Sequence, residues 1–298
     1  MVAVAEENHF GRAALRCHVS QPALSGQIRK LEDSLGVILF ERTKRTVRIT
    51  PIGEQVLIRA RQVIALSDEI VATAQSARSP LSGSFRLGMI STIAPYLSPM
   101  VLPAISEELP DLSLTLVESQ TIDLESRIAD GKLDAALLAT PLRDSHFKSI
   151  ALYEEPFWVA LSPGHPLAKQ KTIDLKDIAP EQLLLLADGH CLRDQVLNIC
   201  QATQRAQETT NANTRETSLE TLLALVAAGD GVTLVPALSR PHEGQRRNII
   251  ETRREATGAA GRIVRLVYRG SYPGSELLNR LASVIRTNVP ETMVRVLT

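Results

Sequence analysis

Three cysteines in 298 residues are too few for a disulfide framework. That scarcity excludes a disulfide-stapled secreted scaffold and fits a reducing cytosol, where a disulfide is transient and functional. A cytoplasmic location is therefore expected. Aromatic residues are nearly as scarce, at 3%, which argues against a sugar-binding face or a base-stacking platform. No apolar run approaches the roughly 18 residues of a membrane span. The opening MVAVAEENHF has no positive stretch and soon turns acidic, so no signal peptide and no membrane association are expected. Repeats and low-complexity tracts are missing as well. The six histidines, at 9, 18, 146, 165, 190 and 242, are scattered. A structural zinc site wants four Cys or His ligands, commonly in closely spaced pairs. Neither a metal nor a cofactor is expected.

What is present is ordinary globular material with uneven charge. At roughly 100–200 residues per domain, this length predicts two or three folded units. Apolar residues make up 44% and charged residues 22%, with net charge zero. Residues 1–50 carry eight Lys and Arg against five Asp and Glu, net +3, and the remainder is net −3. A mildly basic head on an acidic body points to nucleic acid at one end.

The head is dense in helix signals. GRAALRC, Gly11 to Cys17, reads as a short helix, with Cys17 expected to pack in the core. HVS is a tight connection. Ser20 is an N-cap, Pro22 lies in the first turn, and Gly36 stops the helix that begins at Gln21. Leu24, Ile28, Leu31 and Leu35 fall on one face of it. Two short extended pieces follow around a basic turn at Lys44 and Arg45. The order helix, turn, helix, basic two-stranded wing is that of a winged helix-turn-helix. Ser20, Gln21, Ser25 and Arg29 lie outside the apolar stripe and can face base edges. Arg29, Arg42, Lys44, Arg45 and Arg48 can neutralise phosphates.

Residues 51–77 read as one long helix. Val56, Val63, Ile70 and Ala77 recur every seven positions, and Ala60, Ser67 and Ala74 recur at the same period. Such a two-position seam suits pairing with a second copy. RSPLSGS, 78–84, is a hinge by composition. Beyond it, strand patterns (FRLGMI, LSLTLVES, LDAALLA, FWVALS, QLLLLA, GVTLVPAL, RIVRLVYR) alternate with helix patterns. Alternation over that length predicts an α/β unit divided into two subdomains.

The stretch Ala13–Arg42, AALRCHVSQPALSGQIRKLEDSLGVILFER, resembles the N-terminal signature of LysR-type transcriptional regulators. The resemblance implies an α+β and α/β multidomain chain: a winged helix-turn-helix DNA-binding domain over 1–50, a dimerisation linker helix over 51–80, and a periplasmic-binding-protein-like regulatory domain over 81–298. Subdomain I is expected at about 81–160 with 261–298, and subdomain II at about 161–260. Ser20, Gln21, Pro22, Ser25, Arg29, Arg42, Lys44 and Arg45 become the expected DNA contacts. Members of that family carry several residues ahead of VAVAEENHFGRAA, so the first helix is expected to be truncated.

DGHCLRDQVLNIC, Asp188 to Cys200, holds the other two cysteines. A metal site is disfavoured, because His190 and Cys191 are sequence neighbours without a second ligand cluster. Core packing suits Cys200, which follows Leu197 and Ile199, better than Cys191, which has His190, Arg193 and Asp194 around it. Redox chemistry is the third reading. A thiolate is favoured beside a cationic histidine, beside an arginine and at a helix N-terminus, and Cys191 has a candidate for each. On that asymmetry Cys191 reacts first and Cys200 closes the disulfide. Nine helical residues rise about 13.5 Å and end half a turn out of phase, whereas disulfide Cα atoms lie within roughly 7 Å. Bond formation would therefore have to refold the helix, which suits a switch better than a rapidly cycling enzyme.

GHCLRD with a second cysteine nine residues on, followed by TSLETLLALVAAGDGVTLVPAL, resembles the peroxide-sensing branch of the same family. That resemblance implies Cys191 as the peroxide-reactive residue and Cys200 as its resolving partner, with His190, Thr92, Thr121 and Arg262 around the reacting sulfur. A helix cap is the plainer reading of either threonine alone. The implied protein is not an enzyme but an activator or repressor, a homodimer or homotetramer on double-stranded promoter DNA. Hydrogen peroxide is its signal, and RNA polymerase and thiol reductants are its further partners. Two other readings compete: a regulator that binds a small carboxylate between the subdomains, and a thiol peroxidase.

Overall fold

The computed structural model describes all residues except 43–46, 77–78, 143–144, 180–181, 201–217, 241–248 and 298. Two compact units result: Met1–Ala72 with Ala129–Lys132, and Thr73–Ile128 with Leu133–Thr298.

The first unit opens with α1 (Val2–Glu7), six residues whose Val4 is fully buried. Helix α2 (Phe10–Arg16) starts one residue earlier than its sequence pattern, because the His9 ring caps it by accepting from the Gly11 and Arg12 amides at 3.0 and 3.3 Å. Cys17 follows that helix and is exposed, against the expectation of core packing. The core places go instead to Phe10, Ala13 and Ala14, the face of α2 turned to the head's interior.

Helix α3 (Gln21–Leu35) begins and ends as its capping residues dictate. Ser20 Oγ accepts from the Ala23 amide, and Gly36 takes the left-handed conformation that closes the helix. Its apolar stripe is used only in part. Leu24 and Ile28 enter the head core, while Leu31 and Leu35 are exposed. Strands β1 (Phe40–Arg42) and β2 (Val47–Ile49) form an antiparallel wing with Phe40 opposite Ile49. Glu32 ties α3 to the wing by accepting the Leu39 and Phe40 amides at 2.9 and 3.1 Å. Helix α4 runs from Pro51 to Ser76, and the Thr50 hydroxyl accepts the Gly53 amide in its first turn. Of the heptad positions, Val56 packs on the head core, while Val63 and Ile70 are exposed. Ala77 lies outside the described residues.

The second unit is a nine-stranded mixed sheet with helices around it. Strand β3 (Gly83–Ile90) runs parallel to β4 (Leu112–Ser119) and to β5 (Ala135–Leu138). Helices α5 (Ala94–Glu108) and α6 (Thr121–Ala129) supply the crossovers. Strand β10 (Gly261–Arg269) lies antiparallel to β5 on one side and to β6 (Phe147–Leu161) on the other. β6 is much longer than the FWVALS pattern predicts. Its far end pairs with β8 (Thr233–Pro236) and β9 (Glu251–Glu255), and β7 (Thr172–Ile173) and β11 (Arg295–Val296) complete the sheet. Strands β7, β9 and β11 were not legible in the sequence. β9, ETRRE, has no apolar alternation to show.

QLLLLA does not form the expected strand. Only Leu183 makes a bridge, to Val232, and the run otherwise lines the core as an extended loop. Two ladder-type hydrogen bonds tie it to β8's lead-in, Leu184 N to Val232 O and Val232 N to Gln182 O, and the Thr233 hydroxyl donates to Leu184 O at 2.8 Å. Helices α7 (Cys191–Ile199) and α8 (Leu219–Ala228) pack beside it, burying Leu192, Val196, Leu222 and Leu223. Helix α9 (Ser275–Asn288) covers the other half. Among the described residues, no helix is long and apolar enough to cross a membrane.

Candidate functional site

Cys191 is the first residue of α7, and three loops meet it. Ile90, Ser91 and Thr92 come from the end of β3, Gln120 and Thr121 from the turn into α6, and Gly189 and His190 from the turn into α7. Sheet topology explains the meeting: β3 and β4 are parallel neighbours, so their C-terminal ends deliver two loops to one edge. The space between them is about 10 Å³ as seen by the centre of a water-sized molecule, which suits roughly one water.

Gly189 makes the close approach possible. Its φ is +92°, and a Cβ there would fall 2.6 Å from the Gln120 side-chain oxygen. Both the backbone conformation and the space require glycine. Gly189→Ala is expected to displace the α7 N-terminus and to slow peroxide oxidation of Cys191 at least tenfold, read by single-turnover thiol loss; an unchanged rate would count against this packing.

The electrostatics of Cys191 differ from the expectation. Burial pushes its thiol above the ordinary value, and the Arg262 guanidinium and the Thr121 hydroxyl pull it part of the way back. Neither His190 nor Arg193 supplies the expected cation. Burial holds the His190 pKa down, so the ring is neutral at neutral pH, with Nδ1 3.3 Å from the Ser91 hydroxyl. Arg193 turns to its own loop, pairing with Asp188 at 2.9 Å and donating to Leu186 O at 3.1 Å. Cys200, the C-cap of α7, packs against the apolar core, and burial pushes its thiol up to about 11.

Arg262 is the cation that reaches the sulfur. It is buried on β10 and donates through Nη1 to Thr92 Oγ1 at 2.8 Å and through Nη2 to Thr92 O at 3.0 Å. Arg265, three residues on, is half-buried and pairs in the strand register with Leu138 and Ala151. Thr121 is a buried hydroxyl with no hydrogen-bonding nitrogen or oxygen in reach. The structure thus gathers Cys191, His190, Thr92 and Thr121 around one small cavity, with Arg262 behind Thr92. Cys200 stands at the far end of α7, about 13.5 Å along the helix axis.

Three participants escaped the sequence reading. Ser91 and Gln120 line the cavity without any motif to mark them. Glu155 holds Arg262 through Nε and Nη2, both at 2.9 Å. A signal for it existed: Tyr153, Glu155, Phe157, Val159 and Leu161 alternate inward on β6, all at most 2% exposed, and a carboxylate in that phase needs a buried partner.

In the head, Gln21, Pro22 and Arg29 are exposed on α3, and Ser20 is its exposed N-cap. Arg42 is more constrained than a free phosphate contact: it bonds Glu32 at 2.9 Å and Ser25 Oγ at 3.0 Å and lies over the Phe10 ring. Lys44 and Arg45 lie outside the described residues. Among those that are described, no group of three or more His, Cys, Asp or Glu side chains could hold a metal ion.

A helix-turn-helix head, a long helix and an α/β unit define the class of a DNA-binding regulator, here with a half-buried cysteine in the α/β unit. The family model "Bacterial regulatory helix-turn-helix protein, lysR family" matches residues 1–54, and "LysR substrate binding domain" matches residues 78–290. The chain belongs to the LysR family. It is 42% identical over 292 residues to the "Hydrogen peroxide-inducible genes activator" of Pectobacterium carotovorum subsp. carotovorum, covering 97% of this chain and 94% of that one. It is similar to full-length OxyR of Pseudomonas aeruginosa, solved as a cysteine-to-aspartate variant, with TM-score 0.79, 37% identity and coverage of 97% and 96%. A hydrogen-peroxide-bound cysteine-to-serine variant of Corynebacterium glutamicum OxyR matches at TM-score 0.64 and 36% identity, covering 96% of this chain and 89% of that one.

Proposed function

We propose that this protein is a cytoplasmic transcriptional regulator, and not an enzyme, that senses hydrogen peroxide at Cys191. The observation that carries the reading is the cavity itself: a cysteine at a helix N-terminus, a buried arginine whose charge acts on it and a buried threonine hydroxyl that hydrogen-bonds its sulfur, around space for a molecule of about water's size. Residues 1–50 serve as the DNA-binding domain, 51–80 as the dimerising helix, and 81–298 as the regulatory domain in two subdomains. The functional unit is a homodimer or homotetramer on promoter DNA, acting as activator or repressor through RNA polymerase.

The thiolate of Cys191 attacks one peroxide oxygen. The S–O bond forms as the O–O bond breaks, sulfur is oxidised by two electrons, and the departing hydroxide leaves as water with the thiol's proton. Thr92, Thr121, His190 and Arg262 hold peroxide and meet the charge on the departing oxygen. The Cys200 thiol then displaces water from the sulfenic acid, giving the Cys191–Cys200 disulfide. With a pKa of about 11 in its buried seat, Cys200 is a poor nucleophile until α7 unwinds. A cellular dithiol resets the switch by exchange.

One equivalent of peroxide on the reduced protein is expected to give a Cys191–Cys200 linkage by peptide mass spectrometry. Its absence would sink the sensor reading, and rapid multiple turnover with reductant would replace it by a peroxidase.

The rate should also depend on pH. Because burial sets the Cys191 pKa above its ordinary value, the thiolate is the minor form at neutral pH. Oxidation is then expected to accelerate about tenfold per pH unit between roughly pH 7 and 9. A rate already level across that interval would mean that the thiolate is the resting form.

A further inference from the structure

Arg262 and Glu155 are both cut off from solvent, with side chains 1% exposed. Glu155 has no free oxygen left. Oε2 accepts from Arg262 twice, and Oε1 accepts the Leu238 amide at 2.8 Å, in the turn Ala237–Ser239 after β8. A carboxylate fixed at both oxygens cannot swing, so it fixes the plane of the guanidinium. Two of the other donors on Arg262 go to Thr92, one to the hydroxyl and one to the carbonyl. Having accepted from a permanent cation, the Thr92 hydroxyl has its own proton to give, and it lines the Cys191 cavity as a donor.

We infer that Glu155 is a positioning residue for Cys191: its carboxylate holds and neutralises Arg262, and so sets how readily the cysteine reacts. For its meaning in the cell this rests on the peroxide-sensing reading, but not for its test. The arrangement explains how a buried arginine can stand beside a thiol without making it a resting thiolate. Charged and titratable groups around Cys191 are Arg262 from β10, Asp194 within α7 and His190 ahead of it. Glu155 and Tyr153, on β6, bear on Arg262. Arg193 is engaged with Asp188.

Glu155→Gln keeps shape and an acceptor while removing the charge. Reduced full-length protein is alkylated with iodoacetamide from about pH 6 to about pH 10, and the Cys191 peptide alone is quantified by mass spectrometry. The midpoint is expected to fall by about one unit, a tenfold gain in thiolate at neutral pH. Thiolate reactivity falls with pKa, with a Brønsted coefficient of about 0.4–0.5, so the peroxide rate at neutral pH should rise only about threefold. A purely structural role would lower the melting temperature and leave the midpoint in place; that result in a folded Glu155→Gln overturns the inference. Should this variant fail to fold, the double variant Glu155→Gln, Arg262→Met buries no lone ion and gives the same reading. Its midpoint should stay within about half a unit of wild type, whereas a rise of a unit or more would show Arg262 acting as a full cation and overturn the inference. Failure of the peroxide reading would show separately, as the missing Cys191–Cys200 linkage.

Discussion

Cys191→Ser is expected to give a folded protein that binds DNA with the same footprint before and after peroxide. The substitution replaces one sulfur by oxygen at the start of α7 and leaves Leu192 and Val196, which seat the helix in the core, untouched. A serine hydroxyl is not oxidised by peroxide, so no sulfenic acid and no disulfide can form. Cys200→Ser makes the informative contrast. It should still consume one equivalent of peroxide and stop at a Cys191 sulfenic acid, trapped by dimedone. A Cys191→Ser protein whose footprint still shifts with peroxide would remove Cys191 from the mechanism.

The second large effect is on stability. Arg262→Met is expected to cost about 3–5 kcal/mol, because Glu155 is then a buried carboxylate without its partner. For a regulatory unit of this size that corresponds to a fall of roughly 10 °C in melting temperature, followed by circular dichroism. Adding Glu155→Gln should restore most of the loss, since removing both members of a buried pair can be nearly neutral. A single variant as stable as wild type would mean that water reaches the pair, and the low exposure of both side chains would need another explanation. Arg262→Met should also slow oxidation of Cys191, because the Glu155 carboxylate is then left unbalanced and disfavours a thiolate nearby.

Local chemistry was legible in the sequence, and distance was not. Ser20, Pro22 and Gly36 act within one turn of themselves, so the bounds of α3 could be read directly. GHCLRD likewise marked the start of α7. The expected influence of His190 and Arg193 on Cys191 failed for a general reason: nearness in sequence says nothing about burial or about competing partners. His190 is desolvated and neutral, and Asp188 and Leu186 occupy Arg193. The group that acts, Arg262, is 71 residues from the cysteine, and the Glu155 that holds it is 107 residues from Arg262. Leu31 and Leu35 show the same limit, since an apolar stripe states what could be covered and not what covers it. Cys17 was misplaced because residue type predicts burial only on average.

The seating of α7 has a value in volts. Leu192 and Val196 are buried, and Gln195 Nε2 donates to Ala139 O at 2.7 Å. If the disulfide requires this helix to come out of the core, those contacts exist only in the dithiol. Burying the two aliphatic side chains is worth about 3–6 kcal/mol, and for a two-electron couple 30 mV equals about 1.4 kcal/mol. The helix then makes the couple about 65–130 mV more oxidising than a bond formed without cost. Structural disulfides lie below about −300 mV, where the glutathione pool does not reach them. The packing of one nine-residue helix lifts this bond toward the range in which cellular thiols can open it, so the alarm can be switched off once the peroxide is gone.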